Sequence, residues 1–391
     1  MAEPISVSSN RVIAGSIAVG IAFVMELTLV PLLLPAIQAQ FGLSISQLAW
    51  VFNSYGVSVA LGVLIGGWLG DAFDTRLIFR IGVLLFAIGA VIVAYAGGFE
   101  TIVAGRIIQG FGGGIFLPLI PLLLTRAAPH RPGKVLIIWG SIAGYVAAFA
   151  PYLYGSTLAV YGWHLGFVIF ALVALVALAI VNGSGGGARP PKMGDRQFSY
   201  RVLLSSRELW VMFVYVFCTY GSITYYLFRL PLWLAENNIQ VSGIGFALSS
   251  MWLSFSVVST LLRNKVDAPH IRGILIVAPF LIAAGFPLAY FGSNSGWLIL
   301  SSILVGAGLA CSNAPSTQLI LKFAPNGMSA AAASFDITFA RLGGVATVAL
   351  LAESAFGYAV ISISVLSCAA LLCALLAVKN LNAALAREVA A

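Results

Sequence analysis

The sequence predicts an all-α integral membrane protein whose twelve transmembrane helices form two pseudo-symmetric six-helix bundles, with both termini in the cytoplasm. Three observations lead there. The 391 residues are 61% hydrophobic and only 8% charged, with a mean hydropathy of +1.03, whereas a water-soluble domain is typically about a quarter charged. The apolar residues gather into segments of roughly the 20 residues that cross a hydrocarbon core, six on each side of one hydrophilic break. Outside those segments, Lys and Arg fall only on alternate connections. A secreted disulfide scaffold, a cytosolic enzyme and a disordered chain are excluded.

In the first half the spans lie near residues 12–37, 46–70, 77–97, 101–125, 135–160 and 163–182. In the second half they lie near 208–232, 240–262, 272–291, 295–321, 328–352 and 354–378. Each is expected to be a helix, because lipid offers no partner to an open backbone. The division is then a bundle over 1–182, a cytoplasmic linker over 183–206 rich in Gly, Pro and charge, and a bundle over 207–391. The N-terminal MAEPISVSSNRVIAG has no cleavable-signal pattern, so the first span is expected to be retained.

Orientation follows from positive charge. With the N-terminus inside, seventeen of the 20 Lys and Arg face the cytoplasm, and the other three, Arg106, Arg229 and Arg341, fall inside spans. The acidic Glu100, Glu236 and Glu353 fall at the outer side. The net charge of +8 and pI near 9.5 are accounted for by orientation and contact with anionic lipid headgroups, without nucleic acid. The four cysteines lie in spans without CxxC spacing, and the three histidines do not cluster; no disulfide and no metal site is expected.

The halves share a pattern. Gly110, Pro118, Arg126 and Pro129 in GFGGGIFLPLIPLLLTRAAP correspond to Gly306, Pro315, Lys322 and Pro325 in GAGLACSNAPSTQLILKFAP. The first and last members of the two sets are offset by half the chain length, as a duplicated six-span unit requires.

Several motifs carry a resemblance. Gly67-Trp-Leu-Gly-Asp71, leading to Arg76, resembles the loop motif between spans two and three of the major facilitator superfamily. Arg106-Ile-Ile-Gln109-Gly110 resembles its span-four motif. Gly140, Gly144, Ala148, Pro151 and Gly155, followed by Gly162-Trp163-His164, resemble the span-five motif of its proton-coupled drug antiporters. The leader FVMELTLVPLLLPAI, with Gln47-Leu-Ala-Trp50 and Tyr55, is similar to the opening of those antiporters. In the second half the likeness rests on Leu230-Pro-Leu-Trp-Leu and Arg341-Leu-Gly-Gly344. The resemblance implies transport by alternating access around a cavity lined chiefly by spans one, four, seven and ten. It also implies an exported drug-like molecule or metabolite exchanged for protons, no cofactor beyond the proton gradient, and a monomer in a bacterial inner membrane.

Candidate functional residues follow from chemistry and from the motifs. A carboxylate in mid-membrane is expensive and points to function, which makes Glu26 of span one the first candidate for carrying protons and substrate. Burial favours the neutral form of a carboxyl group and a neighbouring Arg favours its charged form, a balance suited to binding and releasing a proton. Arg106 is expected at similar depth on span four and shares a helical face with Gln109, Gly110 and Gly113. The alternative is a permanently paired structural bridge. Asp336 is the second candidate for proton coupling. Arg341 lies five residues on, about 140° away around the helix, so the two are not expected to pair.

Gly67, Asp71 and Arg76 read as a gate, with the Asp71 carboxylate facing the positive end of a neighbouring helix; the alternative is a solvated turn. Gly144, Pro151 and Gly155 read as close packing and bending. Tyr55, Tyr145, Tyr225 and Tyr226 are candidates for lining an apolar pocket, and Arg229 either joins them or snorkels to the interface. The intramembrane charges Glu26 and Asp336 are balanced by Arg106 and Arg341, so a neutral, zwitterionic or anionic substrate such as a siderophore stays open beside a drug. A nutrient importer of the same fold is a further alternative. No HExxH motif or serine–histidine pair occurs in the spans, so an enzyme is not expected.

Overall fold

A computed structural model describes residues 7–182, 200–262, 270–291, 295–325 and 328–390. These residues form helices: α1 (Val7–Phe41), α2 (Ile45–Ala72), α3 (Thr75–Ala94), α4 (Phe99–Phe116), α5 (Leu119–Ala127), α6 (Pro132–Tyr161), α7 (His164–Asn182), α8 (Tyr200–Leu204), α9 (Arg207–Glu236), α10 (Val241–Leu262), α11 (Ile271–Phe291), α12 (Ser295–Phe323), α13 (Ser329–Leu351) and α14 (Phe356–Ala390). With α4 and α5 taken together as span four and α8 set aside as a short connector, twelve of them are long and apolar enough to cross a membrane.

Three boundaries differ from the hydropathy reading. Span four, read as continuous, is interrupted at Leu117 and Pro118 between α4 and α5. Pro118 has no N–H to return to the Gly114 carbonyl, and the run Gly112-Gly113-Gly114 gives that turn little helical preference of its own. Helix α14 continues to Ala390, because NLNAALAREVA is rich in helix formers although it is not apolar. Helix α8 falls within the stretch read as linker, while 183–199 lie outside the described residues.

The chain divides into two compact units, Met1–Arg196 with Leu234–Phe246, and Gln197–Trp233 with Ala247–Ala391. In the first, α4 lies between α2 and α3, and α1 is covered by α5, α6 and α7. Close approach makes this possible. A Cβ on Gly114 would overlap the Val59 carbonyl and come within 2.8 Å of the Gly62 Cα. On the other face of α4, the Gln109 backbone lies against Gly89 of α3. Small residues in a membrane let helix backbones meet where hydrophobic driving force is weak.

In the second unit α11 packs on α12 and α14, and Gly343 of α13 is pressed against the Phe217 carbonyl of α9. Phe213 stacks parallel to Phe339 at 4.8 Å between ring centres. The Tyr215 hydroxyl donates to the Leu275 carbonyl at 3.0 Å.

Candidate functional site

The first unit holds a buried charged centre. Glu26 on α1 and Arg106 on α4 are each 1% exposed, and Gln109 is fully buried. An Arg106 terminal nitrogen (Nη1) donates to Glu26 Oε1 at 2.6 Å and to Gln109 Oε1 at 2.9 Å. Its Nε donates to the Val51 carbonyl of α2 at 3.2 Å. The guanidinium lies 4.3 Å from the Tyr55 ring centre and 5.9 Å from that of Phe167, within reach of cation–π attraction. Four helices therefore fix one cation.

The local sequence builds this. Arg106 and Gln109 are three residues apart and so lie on one face of α4. Gly110, one residue on, lets the Tyr55 backbone approach, and at Gly113 an added Cβ would meet the Phe23 ring at 3.2 Å. Phe23 lies one turn before Glu26 and packs edge-on against Phe116 at 5.9 Å. Two polar atoms of the centre keep no partner among the described residues: Glu26 Oε2 and Gln109 Nε2. A buried ion pair holds when its geometry is good and its remaining atoms are satisfied; here the first condition is met and the second is not.

The second unit has a different centre. Asp336 on α13 is 7% exposed, and its Oδ2 accepts from the Thr317 hydroxyl of α12 at 2.6 Å. Beside it on α12, Asn313 Oδ1 accepts from Tyr220 of α9 at 2.7 Å, and Ser312 donates to Thr219 Oγ1 at 3.1 Å. Arg341 is half-buried. Tyr225 and Tyr226 are buried, and their hydroxyls are engaged within the unit. Tyr225 donates to the Leu351 carbonyl at 3.2 Å, while Tyr226 lies 2.8 Å from Ser301 Oγ. Arg229 is 7% exposed, buried rather than held out at the surface.

A family model described as Major Facilitator Superfamily matches residues 15–348. The chain belongs to the major facilitator superfamily. Among its relatives, the tetracenomycin C resistance and export protein of Streptomyces glaucescens is 26% identical over 88% of this chain and 64% of its own length. Multidrug resistance protein 3 of Bacillus subtilis is 25% identical over 77% of this chain and 60% of its own length. This chain thus spans less than two thirds of those relatives. The crystal structure of the nucleoside transporter NupG superposes with a TM-score of 0.78 at 12% identity, over 95% of this chain and 99% of that one, which is a likeness of fold.

The residues read as loop and span-five motifs lie on α2, α3 and α6. Gly67 is half-buried, while its neighbours Gly66 and Gly70 face α4 and α5 at the Ile115 backbone and the Leu119 side chain. The side chain of Asp71 lies outside the described residues. Arg76 is half-buried at the start of α3. There Asp74, not singled out in the sequence, caps the helix by accepting from the Arg76 and Leu77 amides at 2.8 and 3.3 Å. Arg126 donates to Thr75 Oγ1 at 3.0 Å, and Thr75 donates to the Gly70 carbonyl at 3.1 Å, so the end of α5 is tied to the α2–α3 loop.

On α6, Gly155 and Pro151 meet the start of α10. A Cβ on Gly155 would lie 3.1 Å from the Val241 carbonyl, and one on Gly245 would overlap the Pro151 carbonyl. Gly144 is half-buried and Tyr145 is 66% exposed. At the far end Trp163 donates to Gln40 Oε1 at 2.7 Å, and His164 lies on the Ala94 carbonyl at 2.8 Å. Among the described residues, no three His, Cys, Asp or Glu lie together as metal ligands would.

Proposed function

We propose that this chain is a secondary active transporter, a proton-coupled antiporter that exports a small drug-like molecule or metabolite by alternating access. The observation that carries the reading is the buried pair of Glu26 and Arg106. A carboxylate in mid-membrane is costly unless paired, so its proton occupancy and its pairing are linked. When Glu26 is charged, the centre is neutral overall. When a proton from outside neutralises it, Arg106 is left without a counter-charge, and the balance of electrostatic energy around α1, α2 and α4 changes. Such a change can bias two conformations of unequal energy, and competition between proton and substrate at one centre is a coupling free energy. The names of the two relatives, one an export protein and the other a multidrug resistance protein, support the outward direction.

In this reading Glu26, Arg106 and Gln109 couple protons to substrate, with Asp336 and Arg341 as a second polar centre. Asp71 and Arg76, with Gly67, form the gate. Gly144, Pro151 and Gly155 shape the bend and packing of α6. The chain works as a monomer in a bacterial inner membrane, with both termini cytoplasmic, as its charge distribution predicts.

The test is flux in proteoliposomes under an imposed pH gradient, with a panel of cationic dyes, neutral drugs and anionic metal chelators. Movement of a panel member against the proton flow is expected. Movement of solute together with protons would make the chain an importer and overturn the proposal.

A further inference from the structure

Glu26 Oε2 and Gln109 Nε2 both belong to groups anchored on the same Arg106 nitrogen, and both are buried without a partner. The amide orientation is chemically determined. Arginine has no acceptor, so the Gln109 oxygen must face it and the Gln109 NH2 must point elsewhere. The centre therefore offers one free acceptor, on a carboxylate already neutralised by Arg106, and one free donor. A buried polar atom left without a partner is costly, and two on side chains anchored to one Arg106 nitrogen mark the centre as a candidate for binding a polar group.

The chemistry of that occupant is constrained. An ammonium group approaching Oε2 would meet the Arg106 cation, which already holds the same carboxylate at 2.6 Å. An anion would meet the carboxylate. A neutral group with an adjacent N–H or O–H donor and a C=O acceptor satisfies both atoms at once. Tyr55, Phe23 and Phe167, around the centre, favour an aromatic body attached to it.

Resting on the reading of Glu26 as the coupling carboxylate, we propose that Glu26 Oε2 and Gln109 Nε2 form a donor–acceptor clamp that selects an uncharged amide-like or hydroxy-carbonyl group on an aromatic substrate. The clamp also ties substrate to proton. Protonation of Glu26 puts a hydrogen on Oε2, so the centre then presents two donors and only a weak acceptor, and the same neutral group binds less tightly.

The test uses the full chain purified in detergent and three probes with one aromatic body: 2-naphthamide, 2-naphthoate and 2-naphthylmethylammonium. Binding is read from tryptophan fluorescence, and proton release on binding from a pH-indicator dye in weak buffer. The amide is expected to bind tightest. Gln109→Met should weaken it about tenfold, as for one lost hydrogen bond of about 1.4 kcal/mol, and leave the two charged probes unchanged. Gln109→Glu keeps the shape and the acceptor facing Arg106 and in its ionised form removes the donor. It too should weaken the amide, while its added charge favours the ammonium probe over the naphthoate, and it guards against misfolding of the first variant. Tightest binding by either charged probe, absence of amide binding, or an amide affinity indifferent to both substitutions would overturn the clamp; water filling the gap would give that last result. Proton release speaks to the other question. Wild type that prefers the amide yet shows neither a pH-dependent amide affinity nor proton release at any pH would retain the clamp and refute Glu26 as the coupling carboxylate.

Discussion

The two units place their intramembrane acids in different company. In the first, Glu26 is sealed at 1% exposure against a full cation, in a shell of Tyr and Phe rings, with two polar atoms left over. In the second, Asp336 is 7% exposed and takes a neutral hydroxyl from Thr317, beside further side-chain pairs between α9 and α12. Spans four and ten share their spaced glycines and prolines, while the buried acids of the two units have different partners. Protonation of Glu26 would leave the Arg106 cation without its counter-charge, whereas protonation of Asp336 would leave a neutral pair with Thr317. In the proposed reading, coupling therefore belongs to the first unit.

The two centres should differ most at Arg106. Arg106→Ala leaves a carboxylate buried without its counter-charge and should destabilise the protein by about 3–5 kcal/mol, read as thermal unfolding in detergent. Asp336→Asn keeps an acceptor for Thr317 and should cost about 1 kcal/mol or less. Equal losses would erase the distinction between the units. Joint replacement, Glu26→Leu with Arg106→Met, should recover much of the single-variant loss, since apolar residues of similar volume commonly replace a buried pair without penalty. A double variant no more stable than Arg106→Ala alone would show that the pair is not the source of the effect.

Gly114→Ala forces its methyl onto the Val59 carbonyl and should cost about 1–3 kcal/mol, in step with lost activity if α4 must stay in register with Glu26. A variant as stable as wild type would deny the tight α2–α4 seam. Thr317→Val removes the single donor named on Asp336 and should lower stability by about 1 kcal/mol, with gradient-driven flux retained. The smallest effect is expected at Gly140, where a Cβ meets nothing within 4 Å. Gly140→Ala should raise stability by about 0.5–1 kcal/mol, and a loss there would mean that the α6 glycine stripe is packed along its whole length.

Hydropathy alone made the twelve spans legible, because lipid imposes length and helicity on every crossing. The Glu26–Arg106–Gln109 centre was also within reach, since residues three apart share a helix face and a mid-membrane acid needs a cation. What joins separate helices was not. Nothing in the sequence says that the Val51 carbonyl would receive Arg106, or that Tyr55, read as a pocket aromatic, would lie beneath its guanidinium. Tyr225 and Tyr226 looked like pocket residues by type, yet their hydroxyls bridge to Leu351 and Ser301. That choice is fixed by where a neighbouring carbonyl or hydroxyl sits. The capping role of Asp74 was readable from its place before α3 and was obscured by the motif residues on either side of it. The interruption of span four was foreshadowed by Pro118 after three glycines, a local signal that a hydropathy window averages away.

The proposed coupling resides in the first unit. The direct measurement is uptake into inside-out proteoliposomes under an imposed pH gradient, with wild type, Glu26→Gln and Asp336→Asn reconstituted in parallel. Glu26→Gln should lose accumulation against the gradient while still exchanging solute for solute, and Asp336→Asn should keep most of its driven flux. Driven flux that survives Glu26→Gln and disappears with Asp336→Asn would place coupling in the second unit and contradict the account.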